Sequence, residues 1–181
     1  MVWLDFADGT LERHQVELSE RIAEVLAAER PQVVATFGPD GVTGHPDHVA
    51  VSMATSRAFH QVRASVGPGL RRLVYSAISK SDIDRWNVNR RLAGEFEWDP
   101  SAPFHIRGVA DEMIGISVDT RRVASRTVEA LRRHRSQWSM ALVPIADDTL
   151  ARSLQTEDWV IAWPPGAPDA QRLATLFEGL D

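Results

Sequence analysis

The stretch Thr36-Phe37-Gly38-Pro39-Asp40-Gly41-Val42-Thr43-Gly44-His45-Pro46-Asp47-His48 decides how this chain is read. It is entered by the apolar run Gln32-Val-Val-Ala-Thr-Phe37, which suits a short buried parallel strand. Gly38-Pro39-Asp40-Gly41 then reads as a loop. Pro46 fits the first position of a helix, where its missing N–H would have no intrahelical partner and its fixed φ is already helical. The helix therefore starts at His45. His45 and His48, three residues apart, share one face of its first turn, and Asp47 lies where a negative charge favours the positive end of the helix. Two imidazoles and a carboxylate stand at the mouth of a helix that follows the carboxyl end of a strand. A cation or a polarised water fits between them, and so does a purely structural role as helix cap and polar contacts.

Working outward, Leu18, Ile22, Val25 and Leu26 recur at helical spacing, and Pro31 stops that helix before the strand. Beyond His48, Ala50, Met53, Ala54 and Ala58 give the second helix a small-residue face for close packing on a sheet. Leu73-Val-Tyr-Ser-Ala-Ile78 is the next strand. Val2-Trp-Leu-Asp-Phe6, closed by the turn Asp8-Gly9, reads as a strand as well, so that strands and helices alternate. That alternation predicts an α/β layer with a mostly parallel sheet flanked by helices, in which ligands gather at the carboxyl ends of strands. Residues 79–110 read as a polar, irregular excursion. Glu112–Val118 is expected as a strand, Thr120–Gln137 as a helix with Ala124, Val128, Leu131, His134 and Trp138 inward, Leu150–Leu154 as a short helix, Asp158–Trp163 as a strand and residues 168–178 as a terminal helix. With no internal repeat or low-complexity tract, residues 1–181 are expected to form a single α/β domain.

Composition narrows the chemistry. Among 181 residues there is no cysteine, which rules out disulfides, thiolate nucleophiles and Cys-type zinc sites, so any metal must be held by His, Asp or Glu. The acidic start Met-Val-Trp-Leu-Asp-Phe-Ala-Asp is unlike a signal peptide, and no run approaches a membrane span, so a soluble, unexported, cytoplasmic protein is expected. A net charge of −5 argues against a nucleic-acid surface. Arg71-Arg72, Arg90-Arg91 and Arg132-Arg133 are surrounded by acids and read as solvated faces.

Four segments, in order, carry a resemblance: Leu4–Leu11, Thr36–His48, Arg72-Leu-Val-Tyr75, and His134-Arg-Ser-Gln137. By these the chain resembles the PIG-L/LmbE-like zinc-dependent de-N-acetylases, which remove acetyl groups from N-acetylglucosamine-type sugar conjugates. The resemblance implies a Rossmann-like fold and a Zn2+ cofactor. It implies that His48 is a metal ligand, that His45 is a general acid or stabilises the oxyanion, and that Asp47 orients His45. Asp8 corresponds to a sugar-binding carboxylate of some members, although a residue in an Asp-Gly turn is a turn former first. Thr43 stands where some members carry an aromatic residue. Family members also open with an Ala-His-Pro-Asp-Asp-Glu segment that supplies two further zinc ligands and the general base, and no such segment occurs in this sequence. The expectation is thus an N-terminally truncated, inactive version of the enzyme, lacking the first βαβ unit. The alternative is a non-catalytic degenerate relative that binds a sugar or a partner.

Overall fold

A computed structural model describes residues 1–65, 69–92, 94, 96–135, 146–166 and 171–180. After an irregular start and a 3-10 turn at Leu11–His14, the order of elements is α1 (Gln15–Glu29), β1 (Val33–Phe37), α2 (Pro46–Val62), β2 (Arg72–Ala77), α3 (Lys80–Leu92), β3 (Ile116–Asp119), α4 (Ala124–Arg133), α5 (Asp147–Ser153) and β4 (Thr156–Trp163). The core forms where α1 and α2 lie on the sheet: Ala23 and Leu26 from α1, Ala58, Phe59 and Val62 from α2, and Val34, Leu70 and Leu73 from the sheet side. The alanines of α2 do what small residues at helical spacing allow, letting helix and neighbours approach closely. Ala50, Ala54 and Ala58 are buried, whereas Met53 points outward. α1 ends as the proline at 31 dictates, with Arg30 in the left-handed conformation and its N–H on the Leu26 carbonyl.

The sheet runs β1-β2-β4-β3. β1 and β2 pair in parallel, Val33 opposite Arg72 through Phe37 opposite Ser76. β4 enters antiparallel to both β2 and β3, so the α/β layer stands while the expected mostly parallel sheet is corrected to a mixed one, with a single parallel strand pair among the described residues. Strand direction depends on how each connection returns, and the apolar run 158–163 is the same in either direction. β1 is an edge strand among the described residues, with one row of backbone groups unpaired.

Other expectations are corrected by specific contacts. Val2–Phe6 is not a strand: Asp5 has φ 56, which breaks extended backbone, and no described strand pairs with the segment. The excursion from Ser79 contains a helix, α3, whose start is capped because the Ser79 hydroxyl accepts the Asp82 N–H at 3.1 Å. Residues 171–180 form turns rather than a helix. Their carbonyls are taken by arginines from the start of β2: Arg72, itself buried, donates to Leu176 O at 2.7 Å and to Glu178 O at 2.9 Å. Burial lowers the Arg72 pKa from its ordinary value, with the nearby Glu178 carboxylate opposing that effect. His134 ends α4 as its exposed C-cap rather than facing inward; Trp138 lies outside the described residues. No helix among the described residues is long and apolar enough to cross a membrane.

One polar contact places the N-terminal segment. Asp47, in the first turn of α2, is buried, and its carboxylate accepts the Gly9 N–H at 2.6 Å and the Leu11 N–H at 3.1 Å. Asp47→Ala leaves both N–H groups without their charged acceptor and is expected to cost about 3 kcal/mol of stability, read as a shift of the urea midpoint. A second outcome follows from the open edge of β1 together with the exposed side chains of Met1, Val2 and Trp3: sedimentation velocity should show self-association as protein concentration rises.

Candidate active site

The loop between β1 and α2 is folded tightly on itself. The Gly41 N–H reaches Gly38 O at 2.8 Å, the Gly44 N–H reaches Asp40 O at 3.0 Å, and the Asp40 carboxylate accepts the Val42 N–H at 3.0 Å. Gly41 and Val42 both have positive φ, 68 and 63. For a β-branched residue that conformation costs about 1–3 kcal/mol. Val42 is held there from both sides, by Asp40 at its N–H and by the Arg107 N–H at its carbonyl, 2.7 Å. At Gly41 a Cβ would come within 3.0 Å of the His48 Cβ, so a glycine lets the loop close directly over the histidine.

The closure sets His48. Its Nδ1 lies 3.2 Å from Gly41 O, a contact that puts a proton on Nδ1 and, in the neutral ring, leaves the Nε2 lone pair available. Phe37, at the end of β1, stacks flat on the ring, centroids 4.1 Å apart and planes 4° from parallel. His45 has the opposite arrangement. It is the N-cap of α2, and its Nδ1 accepts the Asp47 backbone N–H at 3.2 Å, so the proton of the neutral ring sits on Nε2. The two imidazole centroids are 5.0 Å apart, and the Phe104 ring lies 4.9 Å from that of His45, tilted by 34°. Four rings, Phe37, His48, His45 and Phe104, are thus linked by successive ring contacts that restrict both imidazoles.

The structure brings His45, Asp47 and His48 together, and through Asp47 it also brings the Asp8-Gly9 turn to the same helix end, since the Gly9 N–H is one of the two bound by the Asp47 carboxylate. The Asp8 side chain is exposed. The expected route by which Asp47 orients His45 is corrected: the carboxylate is engaged with Gly9 and Leu11, and it is the Asp47 backbone N–H that holds the His45 ring. A carboxylate two residues into a helix is well placed for backbone N–H groups crossing the helix end, and poorly placed to turn back onto the cap residue.

Sequence reading passed over Phe37, Gly41, Phe104 and Arg107 as parts of the site. The first two carried a local signal, an aromatic at the strand end and an Asp-Gly turn. Phe104 and Arg107 carried none, because they arrive from the excursion after α3. As for a metal, no group of three or more His, Asp or Glu side chains among the described residues could hold one. His48 presents one suitable ring nitrogen, whereas His45 spends Nδ1 on a backbone N–H. That donor set falls short of the three protein ligands of a catalytic zinc centre.

Comparison with known proteins gives the chain its relatives. The family model described as PIG-L, GlcNAc-PI de-N-acetylase, matches residues 1–59, a span that contains Asp8, His45, Asp47 and His48. The 1D-myo-inositol 2-acetamido-2-deoxy-alpha-D-glucopyranoside deacetylase of Tsukamurella paurometabola is 32% identical over 174 residues, 88% of this chain and 57% of that protein. The protein of the same name from Streptomyces griseus subsp. griseus is 27% identical over 182 residues, 91% of this chain and 54% of that protein. That of Kineococcus radiotolerans is 35% identical over 139 residues, 70% of this chain and 37% of that protein. The chain spans about half the length of the curated relatives it matches. With the family match falling on the strand, loop and helix that build the histidine pair, and the relatives extending it over most of the sequence, the chain is similar to the PIG-L/LmbE de-N-acetylases.

Proposed function

We propose that this chain carries the histidine half of a site that removes the N-acetyl group from an N-acetylglucosamine-like sugar conjugate. The observation that supports the reading is the opposed pair of tautomers. His48 keeps Nε2 as a lone pair, the form a metal ligand needs, and His45 keeps Nε2 as an N–H, the form that donates to an oxygen bearing negative charge. In hydrolysis of an acetamide the carbonyl oxygen becomes an oxyanion when water adds to the carbon, and a preorganised donor beside it stabilises that charge. Of the two roles that the resemblance offers for His45, we assign the oxyanion donor: protonating Nδ1 would set a second N–H against the Asp47 N–H that it now accepts. Asp47 is a positioning residue, acting on His45 through its backbone and on the N-terminal segment through its carboxylate. Asp8, on the turn anchored by Asp47, is assigned to a sugar hydroxyl. Zinc dependence and a cytoplasmic location belong to the same proposal, with His48 as one ligand.

The second reading, a non-catalytic sugar- or partner-binding relative, draws on the lack of a three-ligand group among the described residues. Zinc content and acetate release, measured side by side, separate the two. The chain alone is expected to lose zinc on dialysis and to release no acetate from an N-acetylglucosamine-type substrate. Joined to the parts of the Tsukamurella paurometabola relative that the alignment leaves uncovered, it should gain both. In that joined protein His48→Ala should lose metal and turnover together. His45→Ala should keep the metal and lose turnover by about two orders of magnitude or more, as when an oxyanion donor is removed. Stoichiometric zinc on the isolated chain, abolished by His48→Ala, would show the site to be complete as it stands. Full activity of His45→Ala would remove that residue from the reaction, and a joined protein that holds zinc yet stays inactive would favour the binding module.

A further inference from the structure

We propose that Arg107 is a ligand-binding residue of the histidine mouth, recognising a carboxylate or phosphate oxyanion beside His45. The residue next to the helix cap is Gly44, with φ 73, and the space its missing side chain leaves is filled by the Arg107 guanidinium: a Cβ there would lie 2.6 Å from one terminal nitrogen and 2.8 Å from the central carbon. Any larger residue at 44 would displace the guanidinium. The segment bearing Arg107 is fixed on both sides. Its own N–H is bonded to Val42 O at 2.7 Å, and two residues on, Val109 exchanges backbone bonds with Ile78 and Lys80 at 2.9 Å each. Gly108 is packed so closely on Lys80 and Ile83 that a Cβ would meet them at 2.9–3.1 Å.

An arginine on a fixed backbone segment of this molecule commonly pairs with a carboxylate. Arg85, Arg91, Arg121 and Arg152 all pair with acids. Arg107 pairs with no carboxylate among the described residues, and it is exposed. Its guanidinium lies against Gly44, next to the His45 cap, so its donors and the Nε2–H of the neutral His45 ring belong to the same end of α2. A guanidinium and an imidazole N–H with no carboxylate acceptor among the described residues, beside a glycine, make a receptor for a planar or tetrahedral oxyanion.

The identity of the ligand rests on the de-N-acetylase reading of this mouth. That reading offers two sources of the same chemistry: the acetate that hydrolysis releases, or an anionic substituent on the sugar conjugate. The test is made without turnover, so that an inactive chain does not decide it. The isotope-labelled chain is titrated at fixed pH and ionic strength with acetate, with inorganic phosphate and with chloride as control, following the amides of Gly44 and His45 and the Arg107 Nε–H by NMR. Acetate or phosphate should move these signals together along one binding curve while chloride does not. Arg107→Gln should weaken that binding about ten-fold, the size expected for losing a charge-assisted hydrogen-bond pair. Arg107→Lys, which keeps the charge and loses the planar fork, should weaken it by a smaller factor and serves if the glutamine variant does not fold. A response to acetate assigns the product carboxylate as ligand, and a response to phosphate alone assigns a substituent of the substrate. The proposal is overturned if no signal at Gly44 or His45 moves, if both variants bind as the parent does, or if shifts scatter over other surface arginines, the mark of an adventitious ion only.

Discussion

A carboxylate removed from water is unfavourable unless donors replace its hydration, and Asp47 satisfies that condition with two backbone N–H groups from a different part of the chain. The arrangement of the mouth depends on this exchange. Because Asp47 is buried in the first turn of α2, the Gly9–Leu11 backbone must cross the helix end. Because its own N–H is directed toward the helix start, the His45 ring is held as the cap. The helix dipole favours the negative charge at this end and the carboxylate neutralises part of the field, so the two imidazoles work in a region whose electrostatics one residue balances.

The loop that precedes the helix shows how local conformational strain is spent on position. Two consecutive residues, Gly41 and Val42, have left-handed backbone, and the second is of a type that avoids it. The result is a carbonyl aimed at the His48 ring and another aimed at the segment that carries Arg107. Ring contacts, stacked from Phe37 and tilted from Phe104, then restrict both imidazoles. Orientation is supplied by backbone and aromatic faces, and the reactive nitrogens are left for a ligand.

Much of this was legible in the sequence because it depends on short-range rules. Pro46 after His45 marked the helix start to the residue, Pro31 marked the end of the preceding one, and β1 and β2 were readable as apolar runs between turn signals. The failures share a different cause. Val2–Phe6 has the composition of a strand but lacks a partner among the described residues, and composition alone does not supply one. The direction of β4, the arginine-held turns at 171–180 and the arrival of Phe104 and Arg107 at the mouth are all long-range outcomes. α3 is the exception, since Ser79-Lys80-Ser81-Asp82 has a helix-capping pattern that the polar composition of the stretch obscured. The candidate residues themselves were found by motif, but what Asp47 binds depends on the position of Gly9 and Leu11, far away in sequence.

The place of β4 in the sheet bears on the order in which the molecule assembles. β1, α2 and β2 are consecutive, and their contacts close short loops. β4 must come back past α3, β3, α4 and α5 to lie between β2 and β3. Loop-closure entropy makes that return the slower event, so the histidine pair and its loop, formed by the β1–α2 connection and the Asp47 clamp, are expected to take shape in a nascent chain before the sheet behind them is complete, with Phe104 and Arg107 joining from the later segment. During that interval β2, whose Leu73 and Val74 end fully buried, has one side unpaired, and it is the surface that a chaperone or a second nascent chain would meet.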